Sequence, residues 1–179
     1  MNEELNKELN KLRLISIFGL AGGTAMSVFG AAGGGLVRFY AGENDPVTAG
    51  NFPKIGIVFG VLSFLSFIVL IASIALLAPA ADALISKAVN TPMYSTATDV
   101  QKLTNYTLIP AFTAGGSAVI ALFLFLYTFG NPKIRGVVGV SAVMVILFAV
   151  SVVCQPVAFG FLLSRVDNAI NKFEKSKKK

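Results

Sequence analysis

The 179-residue chain has no histidine, no tryptophan and a single cysteine. Without histidine there is no His-ligated zinc, no bis-His haem, no Ser-His-Asp nucleophile and no imidazole to titrate near neutral pH. One cysteine, Cys154, permits no internal disulfide, CxxC pair or thiolate cage. Charge is scarce: 13% of residues are Asp, Glu, Lys or Arg, about half the share in an average soluble domain. With 55% hydrophobic residues and a mean hydropathy of +0.74, the composition excludes a disordered chain and argues against a water-soluble globule.

What the chain does have is four long apolar runs, Leu14–Val37, Ile55–Ala78, Leu108–Gly130 and Gly136–Ser164, none holding an acid or a base. About 20 apolar residues cross the hydrocarbon core as a helix. Inside lipid each backbone group must find its partner within its own segment, which makes the runs helical. The first run is longer than the roughly 7–15 apolar residues of a signal peptide, and no A-x-A site closes it, so it reads as a retained span. The expected fold is an all-α, integral membrane four-helix bundle: a cytoplasmic amphipathic segment over 1–13, a four-span region over 14–164, and a basic cytoplasmic tail over 165–179.

Orientation follows from the basic residues. With both termini in the cytoplasm, the inner segments hold Lys7, Lys11, Arg13, Lys87, Lys102, Arg165, Lys172, Lys175, Lys177, Lys178 and Lys179, eleven of fifteen. The outer loops hold Arg38, Lys54, Lys133 and Arg135. The bias predicts N-in, C-in, and the net charge of +6 is then mostly a topology signal. The basic residues form no aromatic-interleaved patch, so nucleic acid is not an expected partner. Phe39, Tyr40, Phe52, Tyr127 and Phe129 fall at the outer interface and Tyr94 and Tyr106 at the inner one, as an interfacial belt requires.

The sequence also repeats itself. Pro53-Lys54-Ile55-Gly56-Ile57-Val58-Phe59-Gly60-Val61 matches Pro132-Lys133-Ile134-Arg135-Gly136-Val137-Val138-Gly139-Val140 at six of nine positions. Ala21-Gly22-Gly23-Thr24-Ala25 matches Ala114-Gly115-Gly116-Ser117-Ala118, and Leu84-Ile85-Ser86-Lys87 matches Leu162-Leu163-Ser164-Arg165, in the same order. The common order predicts a duplicated two-helix hairpin. Two parallel repeats of this kind are related by an axis along the membrane normal.

Lipid tails are as apolar as leucine, so hydrophobicity alone does not join helices in a bilayer. Small residues do, by letting backbones approach. The first span has such a row at Gly19, Gly23, Ser27, Ala31 and Gly35, nearly joined by Gly30 and Gly34. Gly56 and Gly60 in the second span and Ala114 and Ala118 in the third offer partner surfaces. Packing within the chain is the plainer expectation, with Phe64, Phe67, Phe123 and Phe125 facing lipid or filling gaps. Pro79 and Pro156 each remove a backbone donor and can bend a helix. Beyond them, 80–90 and 164–175 continue as helix, and Leu5, Leu9 and Leu12 fall on one helical face. These extensions either form a cytoplasmic cap or remain solvated ends.

Ionisable groups inside a membrane are costly and usually mark function. Their absence from the spans argues against proton-coupled transport, cation pumping and enzymatic catalysis. A passive pore lined by Thr24, Ser27, Thr113, Ser117, Ser141 and Ser151 stays open as a reading, although hydroxyls bonded to their own helices account for them more simply. Gln155 is the one long polar side chain deep in a span. It can bond a carbonyl freed by Pro156, near Val152, or a neighbouring helix. Cys154 reads as a small buried hydrophobe. The loop containing Gly42-Glu43-Asn44-Asp45-Pro46 is short of a calcium loop in spacing and ligand count. The lysine-rich tail can meet anionic lipid headgroups. No cofactor or metal is expected.

Gly22-Gly23-Thr24 through Gly33-Gly34-Gly35, with Thr113-Ala114-Gly115-Gly116, resembles the glycine-rich helices of four-span protein-translocase subunits. The long segment 80–106 departs from that pattern, and no family membership is read from it. The sequence therefore predicts a structural or accessory membrane subunit, partnered by lipids and by a larger complex or its own copies. A passive pore formed by homo-oligomers is the alternative. The absence of a targeting extension points to a prokaryotic plasma membrane, with a thylakoid or organelle membrane as the second choice.

Overall fold

A computed structural model describes residues 2–40, 46–130 and 138–177. They form four long helices: α1 (Asn2–Tyr40), α2 (Pro46–Ala88), α3 (Tyr94–Gly130) and α4 (Val138–Lys177). Each contains a stretch long and apolar enough to cross a membrane. At 1.5 Å per residue, the 39 residues of α1 reach about 58 Å, well beyond the roughly 30 Å hydrocarbon core. The apolar runs therefore occupy only part of each helix. The helices continue past the spans without a break, and so do the residues around Pro79, Pro110 and Pro156.

Neighbouring helices run antiparallel and close into a ring. α1 packs on α2 and α4, α3 packs on α4 and more sparingly on α2, and α1 touches α3 across the centre. The ring has an apolar outer surface. Leu14, Phe18, Phe64, Ile109, Phe123 and Val153 are among its exposed side chains. Exposed apolar surface of this extent marks contact with lipid or with other apolar surfaces. The chain is built as a multi-pass membrane protein.

The turn between α2 and α3 has a local cause. Pro92 disfavours the helical region for Thr91, and the Thr91 hydroxyl and amide both donate to the Ala88 carbonyl, at 2.8 and 3.0 Å. α3 starts at Tyr94, a full fourteen residues before the apolar run at Leu108. The segments outside the spans thus pack as a cap. Leu5, Leu9, Leu12, Leu84, Val100 and Val166 are at most 2% exposed. Leu5 and Leu9 of α1 meet Leu84 of α2, Ala97 and Val100 of α3 and Ala169 of α4 around one point. The reading of frayed, solvated ends does not hold, because every helix supplies an apolar row there.

Candidate functional site

The small residues of α1 are sockets, and α4 supplies most of what fills them. A Cβ on Gly19 would overlap the Phe159 ring, and one on Gly30 would overlap the Phe148 ring. A Cβ on Gly23 would lie 2.8 Å from Gln155 Cγ, and one on Gly34 would lie 3.9 Å from Met144 Cβ. Each step outward along α1 is matched by an equal step back along α4, so one antiparallel register runs the length of the seam. Phe148 and Phe159 are fully buried.

Two further glycines face other helices. Gly22 approaches the α2 backbone, where a Cβ would lie 3.1 Å from both Ser66 O and Leu70 N. Gly33 and Gly60 flank Phe125 of α3, which crosses the bundle and is 1% exposed. Gly56, Ala114 and Ala118 are buried, Ala31 is half-buried, and the surroundings of Gly35 lie outside the described residues. Phe123 faces outward, Phe64 is exposed, and Phe67 packs against the core edge.

The α3–α4 seam is joined differently. The Ser151 hydroxyl lies 3.0 Å from both the Ala114 carbonyl and the Ser117 hydroxyl. The Thr107 hydroxyl donates mainly to Leu103 O and lies 3.4 Å from Ala158 O. Gln155 Nε2 reaches Ala111 O at 3.5 Å. So Gln155 turns to the neighbouring helix rather than to the carbonyl freed by Pro156, because Gly23 gives its stem room on the opposite side. Three buried side-chain oxygens have no hydrogen-bond partner among the described residues: Glu8 Oε2, Thr24 Oγ1 and Gln155 Oε1.

The pore-lining candidates fare unevenly. Ser27 donates to Gly23 O, Thr113 is exposed and donates to Ile109 O, and Ser117 and Ser151 bond each other. The Ser141 side chain, residues 41–45 of the outer loop and the repeat element at 132–137 lie outside the described residues. Pro79 is exposed, Pro156 and Cys154 half-buried. Among the described residues no group of three His, Cys, Asp or Glu side chains could hold a metal.

Polar contacts cluster at the end of the bundle that carries both termini. Arg13 Nε of α1 meets Asp167 Oδ1 of α4 at 2.8 Å. Lys87 Nζ of α2 meets Glu8 Oε1 of α1 at 3.0 Å. That hydrogen bond, with the charges of Glu8 and Glu4, holds the Lys87 ammonium above its ordinary pKa despite some opposing desolvation. Gln101 of α3 donates to Asp82 of α2 at 2.7 Å. Three of the four seams are thus clasped. The fourth, between α3 and α4, opens into a pocket of about 430 Å³, lined on the α3 side by Asp99, Lys102 and Tyr106 and on the α4 side by Arg165, Asn168 and Lys172. The charge bias of the sequence predicts these bases on one side of the membrane; their convergence on one pocket depends on α3 and α4 being neighbours.

Compared with known proteins, the chain matches no family, no curated protein and no solved structure.

Proposed function

We propose that this chain is a structural or accessory subunit of a membrane assembly. The observation that carries the reading is the use of the bundle interior. The glycine face of α1 is filled by side chains of the chain's own α4, α2 and α3, and Ser27, Ser117 and Ser151 bond within and between neighbouring helices. Phe125, Phe148, Phe159, Met26 and Met144 fill the centre. The spans carry no acid or base, and no reaction is assigned to them. Surface remains for a partner on the lipid-facing rows, where a Cβ on Gly116 or Gly160 would meet nothing. In this reading the hairpins α1–α2 and α3–α4 descend from a duplication, supported by the ordered sequence matches. The basic end faces the cytoplasm by charge asymmetry, and the host is a prokaryotic plasma membrane.

A passive pore is the second reading. It is favoured by the exposed Thr113 hydroxyl beside Gly116 on α3, which would line a path only between copies. Gentle solubilisation followed by cross-linking and mass measurement separates the two. A stoichiometric partner is the expected result. A lone homo-oligomer that makes liposomes leaky would establish the pore instead, and a monodisperse monomer that recruits nothing would overturn both.

A further inference from the structure

We infer that the open α3–α4 seam at the basic end binds the phosphate headgroup of an anionic phospholipid. The inference rests on the membrane reading above and deepens it by naming a ligand class and its site. The first support is the unevenness of the ring. Asp167–Arg13, Glu8–Lys87 and Asp82–Gln101 close three seams. At the fourth, Lys102, Arg165 and Lys172 surround the pocket with only Asp99 for an opposing charge. None of the three cations has an ion-pair partner among the described residues, and neither does Asp99. A phosphate between them would supply the missing anion.

The second support is the donor set. The Arg165 guanidinium is a planar fork that suits two phosphate oxygens. Lys102 and Lys172 add compact charges from opposite walls, and Asn168, Thr96 and Tyr106 add neutral donors. The third is depth. Arg165 follows the last apolar residue run of α4, and Tyr106 precedes that of α3, so the pocket lies at headgroup level. On each wall the same helical row continues into the span as bare hydrocarbon. Ile109, 68% exposed, follows Tyr106 by one turn, and Phe161, 64% exposed, precedes Arg165 by one turn. A molecule with a phosphate and acyl chains matches both parts. An acidic peptide matches only the first. Basic pockets between helices at the membrane surface are the physical setting for such headgroup recognition.

Native mass spectrometry of the full chain in neutral detergent tests the site, with phosphatidylglycerol, phosphatidylcholine and glycerol 3-phosphate as probes. One phosphatidylglycerol should be retained at about tenfold lower concentration than phosphatidylcholine. Glycerol 3-phosphate should not displace it. The double substitution Lys102→Gln/Arg165→Gln should weaken phosphatidylglycerol binding about tenfold while leaving the melting temperature in neutral detergent unchanged. Lys172→Gln, at an exposed position, gives a smaller loss and serves if the double variant does not fold. Lys178→Gln/Lys179→Gln should retain the lipid. Equal binding of the two lipids, competition by glycerol 3-phosphate, preference for a polyglutamate peptide, or an equal loss in the tail variant would each overturn the proposal. A chain that stays in the membrane fraction without lipid preference would sink this site alone. A chain that stays soluble without detergent would sink the membrane reading with it.

Discussion

The same four helices are packed by two different rules along their length. In the spans, glycines of α1 receive the Phe148 and Phe159 rings and the stem of Gln155, and the Ser151 hydroxyl of α4 reaches across to α3. In the cap, contacts are made by leucine, valine and alanine side chains meeting one another, with ion pairs on the rim. The solvent explains the difference. In water, removing a leucine side chain from contact with solvent contributes about 1.5–3 kcal/mol, so Leu5, Leu9, Leu12 and Leu84 need only meet. In lipid that drive is missing, and association depends on close shape and on hydrogen bonds. Gly19 and Gly30 supply the shape by admitting Phe159 and Phe148, and Ser151 supplies the bonds.

The comparison breaks first at the sockets. Gly30→Leu places a branched side chain where the Phe148 ring already sits. Overpacking of a tight core costs about 1–3 kcal/mol and often more. The variant should fail to accumulate, or melt far below the parent in detergent, and Gly30→Leu with Phe148→Ala should recover part of the loss. Normal expression and melting of the single variant would remove the socket account.

Next comes the cap. Leu9→Ala should cost about 2–4 kcal/mol, seen as a lower urea midpoint with little change in slope. Helical content followed against urea checks this. A midpoint equal to the parent's would mean that Leu9 is not part of what holds the cap together.

Much of this architecture is legible in the sequence. Uncharged runs such as Ile55–Ala78 state the spans outright, because the bilayer tolerates little else. The register is not legible. The small row at four-residue spacing runs through Gly19, Gly23, Ser27, Ala31 and Gly35, but the observed sockets step from Gly23 to Gly30. A row seven residues apart stays closer to one face of a straight helix than repeated steps of four. Gln155 likewise identified itself as polar and deep, but its partner on α3 depends on which helices are neighbours, and sequence spacing within α4 says nothing of that.

A smaller effect separates bonding from shape. Ser151→Ala removes the contacts to Ala114 O and Ser117 Oγ, and interhelical hydrogen bonds in membranes average about 0.6 kcal/mol. A drop of one to a few degrees in melting temperature is expected, and a collapse like that of Gly30→Leu would show that the two seams do not differ. The smallest effect belongs to Gly116→Ala. Its Cβ would meet nothing within 4 Å, and alanine favours the helix over glycine by up to about 1 kcal/mol. Melting should stay level or rise slightly in the isolated protein. A marked loss in the isolated chain would reveal a neighbour on that face.

The pairing of α1 with α4 ties together two helices with two others between them along the chain, so α1 is made well before its partner. While the ribosome is still adding the middle of the chain, Gly19 and Gly30 have no rings to receive, and the nascent protein waits with one side unfinished. A chain stopped ahead of Val138 would leave that groove vacant, with the exposed apolar surface that makes incomplete folds prone to misassembly. Insertion of the fourth helix, more than that of any span before it, is the event that closes this face of the bundle.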